Sequence, residues 1–292
     1  MIASIKERSP KKLRKELARL EGSDPELRFR EAATHLQCPE MESLAAGMGA
    51  HRVSMLGVPA LNLWMDQIRH APGWTWLLRN ENCFLKRENA EFPNRNSETS
   101  FSNGDTHVEF FPKSAAVALY STPEKHAVRL IQLFDAAGSE ILKLALQDSR
   151  LSKHADAAVQ PFLYEVSDET TNLDAYSERA PLPETQSEQQ LPFSPHRSLI
   201  EWARDHDCEV SFSVANQNAR MTLIKQPKRI EVVRNQYHIF GPGFNLCLLE
   251  TNLSHCSLWI ANDRLKVSSH TETGACALTM ELPANAHTAI NA

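Results

Sequence analysis

The apolar positions of the chain fall into two textures. The first is helical. Leu13, Leu17 and Leu20 form a stripe with basic residues between them, behind Ser9-Pro10 as N-cap and first helical residue, and Gly22 ends it. Asp24-Pro25 opens a second helix to about Cys38, with Leu27, Phe29, Ala32 and Leu36 on one side. Pro39 opens a short third helix to about Met48. Leu61, Trp64, Met65 and Ile68 line one face of a fourth, over 59–71.

At Pro72-Gly73 the texture changes to short β-rich runs bounded by turn residues: TWLLRNENCFLKRE, THVEFFP, AAVALYS, AVRLIQLF and EILKLAL. Asp135-Ala136-Ala137-Gly138 between the last two reads as a hairpin, with Gly138 free to take a positive φ. Over 152–195 the pattern dissolves into polar, acidic, proline-bearing sequence, which reads as a surface linker, partly disordered. A helix follows over 196–206, with Leu199, Ile200 and Ala203 inward. Strand texture then returns as EVSFSVAN, RMTLIK, RIEVV, YHIFG, FNLCLLE, CSLWIA, LKVSSHTE and ACALTMEL. Gly274 repeats the layout of Gly138.

The two β-rich stretches lie over each other. LLRNENCFLKRE matches FSVANQNARMTLIK, THVEFF matches FNLCLL, and LFDAAGSEILKLAL matches SHTETGACALTMEL. The predicted fold class is therefore α+β, with two structurally repeated halves, each an antiparallel sheet flanked by helices. The predicted division is a first half with its helical segment over 1–150, a linker over 151–195, and a second half over 196–292. A repeat implies two similar units with a cleft where they meet, and ligands favour clefts.

Composition narrows the functions. The net charge of −5 argues against a general nucleic-acid surface, which needs a basic excess. REAATHLQCPEMESLAAG could pass for a helix-turn-helix, but PEMESLAAGM is acidic and offers phosphate no cation, so a helical cap on the sheet is the better reading. The six cysteines include no C-x-x-C pair and read as reduced, mostly buried thiols. The charged N-terminus is not a secretory signal, and no run reaches the ~18 apolar residues of a membrane span, so a cytoplasmic address is expected. Phosphate loops, H-E-x-x-H, G-x-S-x-G and nucleotide fingerprints are absent from the sequence. Trp64, Trp74 and Trp76 read as core.

Four segments carry a family resemblance. Arg79-Asn80-Glu81 resembles a T-R-N-E strand start, and AVRLIQLFDAAGSEILKLAL an S-L-Q-F-F-D-A-x-G-x-x-x-x-K hairpin. Gly241-Pro242-Gly243-Phe244-Asn245-Leu246-Cys247-Leu248 is similar to D-P-x-F-N-L-H-L, and REAATHLQCPEMESLAAGMG to R-D-A-A-x-x-L-x-V-S-E-A-E-L. In this order, over most of 29–149 and 196–282, they resemble the HemS/ChuX type of haem-utilisation protein. The resemblance implies a duplicated α+β fold and cytoplasmic haem handling: binding, delivery, or reductive ring opening that frees iron.

Against that family, the V-H-Q-F-F segment holding the axial histidine has no counterpart, and Leu85, Glu109 and Cys247 stand where the family has histidine, arginine and histidine. Ile260, Ala261, Asn262 and Asp263 replace its V-R-K-P-T turn. Haem iron needs a His, Cys, Tyr or Met ligand, and the propionates need cationic or hydrogen-bonding partners. The candidates for haem contact are His154, His196, Tyr237, His238 and Cys247 as ligands, the last as thiolate, and Arg79 toward a carboxylate. The expected partner is haem or a related tetrapyrrole, with no nucleic acid and no membrane span. Sheet edges are able to pair chains into a homodimer. The rival reading is a scaffold that kept the fold, lost haem, and binds another ligand or a protein through the same cleft.

Overall fold

The computed structural model describes residues 10–24, 29–46, 53–57, 61–70, 73–90, 94–97, 99–111, 117–122, 128–148, 150–164, 189–191, 195–233 and 236–290. The first half runs α1 (Pro10–Ser23), α2 (Phe29–Leu36), α3 (Glu40–Ala46), β1 (Val53–Leu56), α4 (Leu61–Ile68), β2 (Trp74–Arg79), β3 (Cys83–Ala90), β4 (Asn94–Arg95), β5 (Ser100–Asn103), β6 (Thr106–Phe110), β7 (Val117–Ser121), β8 (Arg129–Phe134) and β9 (Glu140–Leu146). Then come α5 (Ser152–Val159), β10 (Leu163–Tyr164), β11 (Gln189–Leu191) and α6 (His196–Asp205). The second half continues with β12 (Val210–Ala215), β13 (Ala219–Lys225), β14 (Arg229–Val233), β15 (Gln236–Gly241), β16 (Phe244–Leu249), β17 (Leu253–Ala261), β18 (Arg264–Thr271), β19 (Cys276–Pro283) and a 3-10 segment, Ala284–Ile290.

These elements form two compact units, Met1–Ile68 with Ala115–Glu178, and Arg69–Ser114 with Arg179–Ala292. In the first unit the antiparallel strands run β10-β1-β7-β8-β9. The amphipathic α3 turns Met41 and Leu44 onto Val53, Val117, Leu119 and Phe134, so it caps one face of the sheet. Leu13 and Leu17 of α1 pack with Ala32 and Leu36 of α2 and with Ala46, and Arg14 Nε donates to the Ala46 carbonyl at 3.0 Å. The second helix ends earlier than expected, because Gln37 turns left-handed (φ 51°) and its successor Cys38 donates back to the Ala33 carbonyl. Ser152–Val159, read as the start of the linker, is a helix that packs on α4. Residues 165–188 of that linker lie outside the described residues.

The second unit holds two antiparallel strand sets. One runs β2-β3-β16-β15-β14. The other runs β11-β17-β18-β19-β12-β13-β6-β5-β4. The duplication is visible in the exchange between halves. First-half β3 pairs with second-half β16, and second-half β13 pairs with first-half β6. The THVEFF/FNLCLL match is therefore structural, since β6 and β16 hold corresponding places.

The hairpin match holds as well. Asp135 N donates to Ser139 O and Gly138 N to Asp135 O, while Thr271 N donates to Ala275 O and Gly274 N to Thr271 O. Gly138 and Gly274 have φ of 76° and 80°. Both hairpins carry a bulge at the same place, between Leu133 and Phe134 and between Ser269 and His270. Trp64, Trp74 and Trp76 are fully buried. Among the described residues no helix is long and apolar enough to cross a membrane.

Candidate functional site

Five of the six sequence candidates lie in the second unit. They do not form one cluster. His196, at the start of α6, is buried, and its Nε2 lies 3.0 Å from Glu250 Oε1. Its ring meets Tyr237 edge-on at 5.6 Å. Arg197 holds the same carboxylate through Nη2 at 2.9 Å and lies over the Tyr237 ring. Tyr237 is fully buried, and its hydroxyl finds no hydrogen-bond partner among the described residues. Burial, with the Glu201 charge nearby, pushes that phenol above its ordinary range, so it stays protonated.

His238 follows Tyr237 on β15 and so faces the other side of the sheet. It stacks on Phe240, and its Nε2 is 3.7 Å from Sγ of Cys247, its cross-strand partner. Burial pushes the Cys247 thiol up to about 11, which keeps it a neutral thiol at pH 7. Arg79 ends β2, and its carbonyl accepts a bond from Asn216 Nδ2 at 3.2 Å. His154 is exposed on α5 in the first unit.

A different constellation emerges on the nine-stranded sheet. Its strands alternate cleanly: Phe212, Val214, Met221, Leu223 and Val108 are buried on one face, while Ser213, Arg220, Thr222, His107 and Glu109 occupy the other. The register lines up Ser257, Ser268, Thr279, Ser213, Thr222, His107 and Ser102 in one row across seven strands. Hydroxyls in that row bond each other, Ser213 to Thr222 at 2.7 Å and Ser268 to Thr279 at 2.9 Å.

Two residues along β17 and β18 from this row, on the same face, stand His255 and His270. They are cross-strand partners, and their rings stack at 5.0 Å with 10° between planes. His270 is 8% exposed. Its Nδ1 lies 3.4 Å from the Gly274 carbonyl, which can only accept, so in the neutral ring Nδ1 carries the proton and Nε2 a lone pair. That Nε2 is buried with no partner among the described residues. Burial above all, and then His255, lowers the His270 pKa, so the neutral ring prevails at pH 7. Ser254 Oγ sits 2.9 Å from His255 Nδ1. Cys276, the other cross-strand neighbour of His270, is 3.5 Å from Thr279 Oγ1, and burial raises its pKa.

The equivalent pair in the first half explains why this is unusual. Val117 and Phe134 are cross-strand partners on β7 and β8, and Phe134 occupies the same bulge as His270. There the pair is apolar and buried under Met41 and Leu44 of α3. In the second half the pair is two histidines, and the described residues include no counterpart of α1–α3. Two residues along β13 and β6 from the hydroxyl row, on the side where the histidines stand, Arg220 and Glu109 form an ion pair at 3.9 Å with both side chains about 40% exposed. An exposed pair of this kind contributes only about 0–1 kcal/mol, so Arg220 is free to exchange its partner for another carboxylate. A lone Glu109 would repel a propionate; here its charge is offset by the arginine one strand away.

His255 and His270 were missed in the sequence because a cross-strand pair is visible only once the register is known. The one available signal was the hairpin match itself, which sets His270 opposite Phe134. No group of three or more His, Cys, Asp or Glu able to hold a bare metal ion is found among the described residues.

This duplicated α+β fold is shared with haem-handling proteins of the HemS/ChuS type. The chain superposes on holo-PhuS, a heme-binding protein from Pseudomonas aeruginosa, with a TM-score of 0.81 over 98% of this chain and 99% of that one, at 16% identity. It superposes on the heme degrading enzyme ChuS of Escherichia coli O157:H7 with a TM-score of 0.76, over 94% and 93% of the two chains, at 16% identity. A second ChuS structure, described as an E. coli heme oxygenase, gives 0.76 over 96% and 98%, at 14% identity. At such identities the likeness is one of fold. No protein-family model matches the sequence, and no curated protein does.

Proposed function

We propose that this protein binds haem or a closely related tetrapyrrole and serves haem utilisation, as a carrier or as a haem-degrading protein. The observation that carries the reading is the exchange of the capped apolar pair Val117/Phe134 for His255/His270 on the matching face of the second half. A fold gives up core packing at a chosen position when the replacement has another task, and a neutral imidazole suits the iron of a porphyrin. The likeness in fold to holo-PhuS and ChuS over nearly the whole chain supports the same reading.

Haem would supply the oxygen chemistry when reduced, and the chain's own residues would bind, orient and screen it. The test is a titration of the purified protein with haemin, followed in the visible spectrum. A shifted Soret band that saturates at one equivalent supports the reading. Weak, unsaturable binding would favour the scaffold that has lost haem. Carrier and degrading enzyme then separate on adding ascorbate in air: a carrier keeps its Soret band, and a degrading enzyme loses it with release of iron.

A further inference from the structure

Resting on that reading, we propose that His270 Nε2 is the iron ligand, and that Arg220 on the same face receives a propionate. None of the residues singled out in the sequence fills this role.

Three features of His270 meet the needs of a haem ligand. Its Nδ1 faces the Gly274 carbonyl at 3.4 Å, the arrangement by which ligating histidines fix their tautomer and orient the ring. Its Nε2 is an acceptor without a donor among the described residues, and a buried polar atom left this way costs free energy unless something engages it. The bulge that positions it is shared with the first-half hairpin, so the backbone is inherited and the side chain is the novelty.

The surroundings complete the fit. On the same face runs the row Ser268, Thr279, Ser213 and Thr222, whose hydroxyls bond one another in pairs. Arg220 lies three strands from His270, roughly 14 Å at ~4.8 Å per strand. Its guanidinium lies beside Glu109 and over the Phe111 ring, on the same face of the sheet. The other candidates fit less well. His196 is engaged by Glu250, and Tyr237 and Cys247 are held protonated by burial. The groove between α6 and the C-terminal 3-10 segment is lined by Glu201 and Asp205, which would repel propionates.

The decisive variant is His270→Phe, which installs the residue the first half already uses at this place. His270→Gln is its polar companion, should phenylalanine disturb the fold. Both are compared with wild type by far-UV circular dichroism and by haemin titration. The expected result is a native dichroism spectrum, loss of the shifted Soret band, and affinity at least tenfold weaker. Arg220→Gln is expected to keep the band and bind several-fold more weakly. A folded His270 variant with the wild-type Soret band and affinity would overturn the assignment of the ligand, and unchanged affinity in Arg220→Gln would overturn that of the propionate partner. If wild type itself shows no saturable binding, the haem reading falls, which is a different outcome from either.

Discussion

Asn80 and Asn216 hold each other's turn. Asn80 Nδ2 donates to the carbonyl of Ala215, the residue before Asn216, at 3.0 Å, and Asn216 Nδ2 donates to the carbonyl of Arg79, the residue before Asn80, at 3.2 Å. Each side-chain oxygen accepts from the two amides of its own turn: Asn82 and Cys83 for Asn80, Asn218 and Ala219 for Asn216. The reciprocity is the duplication reduced to two residues. It joins the β2–β3 turn of one half to the β12–β13 turn of the other.

Removing either amide strands backbone groups on both turns. Asn80→Ala leaves the carbonyls of Ala215 and Ala277 and two amides without their partner, which costs about 2–3 kcal/mol. Asn216→Ala is expected to cost a similar amount. Because the two share one network, the double variant should lose less than the sum, read by chemical denaturation of all three chains. Strict additivity would contradict the shared network.

The two hairpin glycines differ in one respect. Both need a positive φ, which costs an L-residue about 1–2 kcal/mol. A Cβ at Gly138 would also sit 2.8 Å from Cβ of Pro39, while one at Gly274 meets nothing within 4 Å. Gly138→Ala should therefore lower the melting temperature clearly more than Gly274→Ala. Equal losses would show that the α3 cap does not press on the hairpin.

In the first unit, Asp156 holds β7 and β8. It accepts from Arg129 Nε and Nη2 at 2.8 and 3.0 Å and from the Tyr120 hydroxyl. Although burial opposes it, the hydrogen bonds from Arg129 and Tyr120 keep the carboxyl below its ordinary range. Asp156→Ala leaves a buried hydroxyl and a half-buried guanidinium unmatched, at a cost of about 1–3 kcal/mol. Asp156→Asn, which keeps part of the geometry, should lose less in the same thermal melt.

Acid should act through His270. Its folded pKa is lowered, first by burial and then by His255, while the Gly274 carbonyl pulls the other way. Its neighbours are His255 and Cys276, with Arg220 acting at Cys276. A depressed histidine pKa means that the unfolded chain binds the extra proton first. Stability is therefore intact above pH ~6.5 and declines as pH falls below it. His270→Phe should remove that part of the decline between pH 7.5 and 5.5. Haem affinity should fall over the same range, because the proton competes for Nε2. A wild-type melting temperature flat across this window would contradict the buried neutral ring.

Much of the fold was legible in the sequence. Strand runs such as VSFSVA and RMTLIK alternate because one face is core, and glycines at 138 and 274 announce turns that need a positive φ. The exchange β3–β16 and β13–β6 was not legible, since pairing partners far apart in sequence leave no local trace. β1, with only VSML, and β11, with only QQL, are too short to show a period. The candidate site was harder to see. The sequence candidates were residues near the predicted cleft, among them His238 just before the GPGFN run and Cys247 within the motif, in place of a family histidine. Facing and burial decide chemical availability, and both depend on register. Only register sets His255 against His270 and lays Ser213, Thr222, Ser268 and Thr279 in one row.

The central claim is that one haem seats on each chain. The most direct measurement mixes the protein with excess haemin, separates free haemin by gel filtration, and assays haem in the protein peak as the pyridine haemochrome. The account predicts one haem retained per chain in wild type and little in His270→Phe. A wild-type peak that emerges without haem would contradict it.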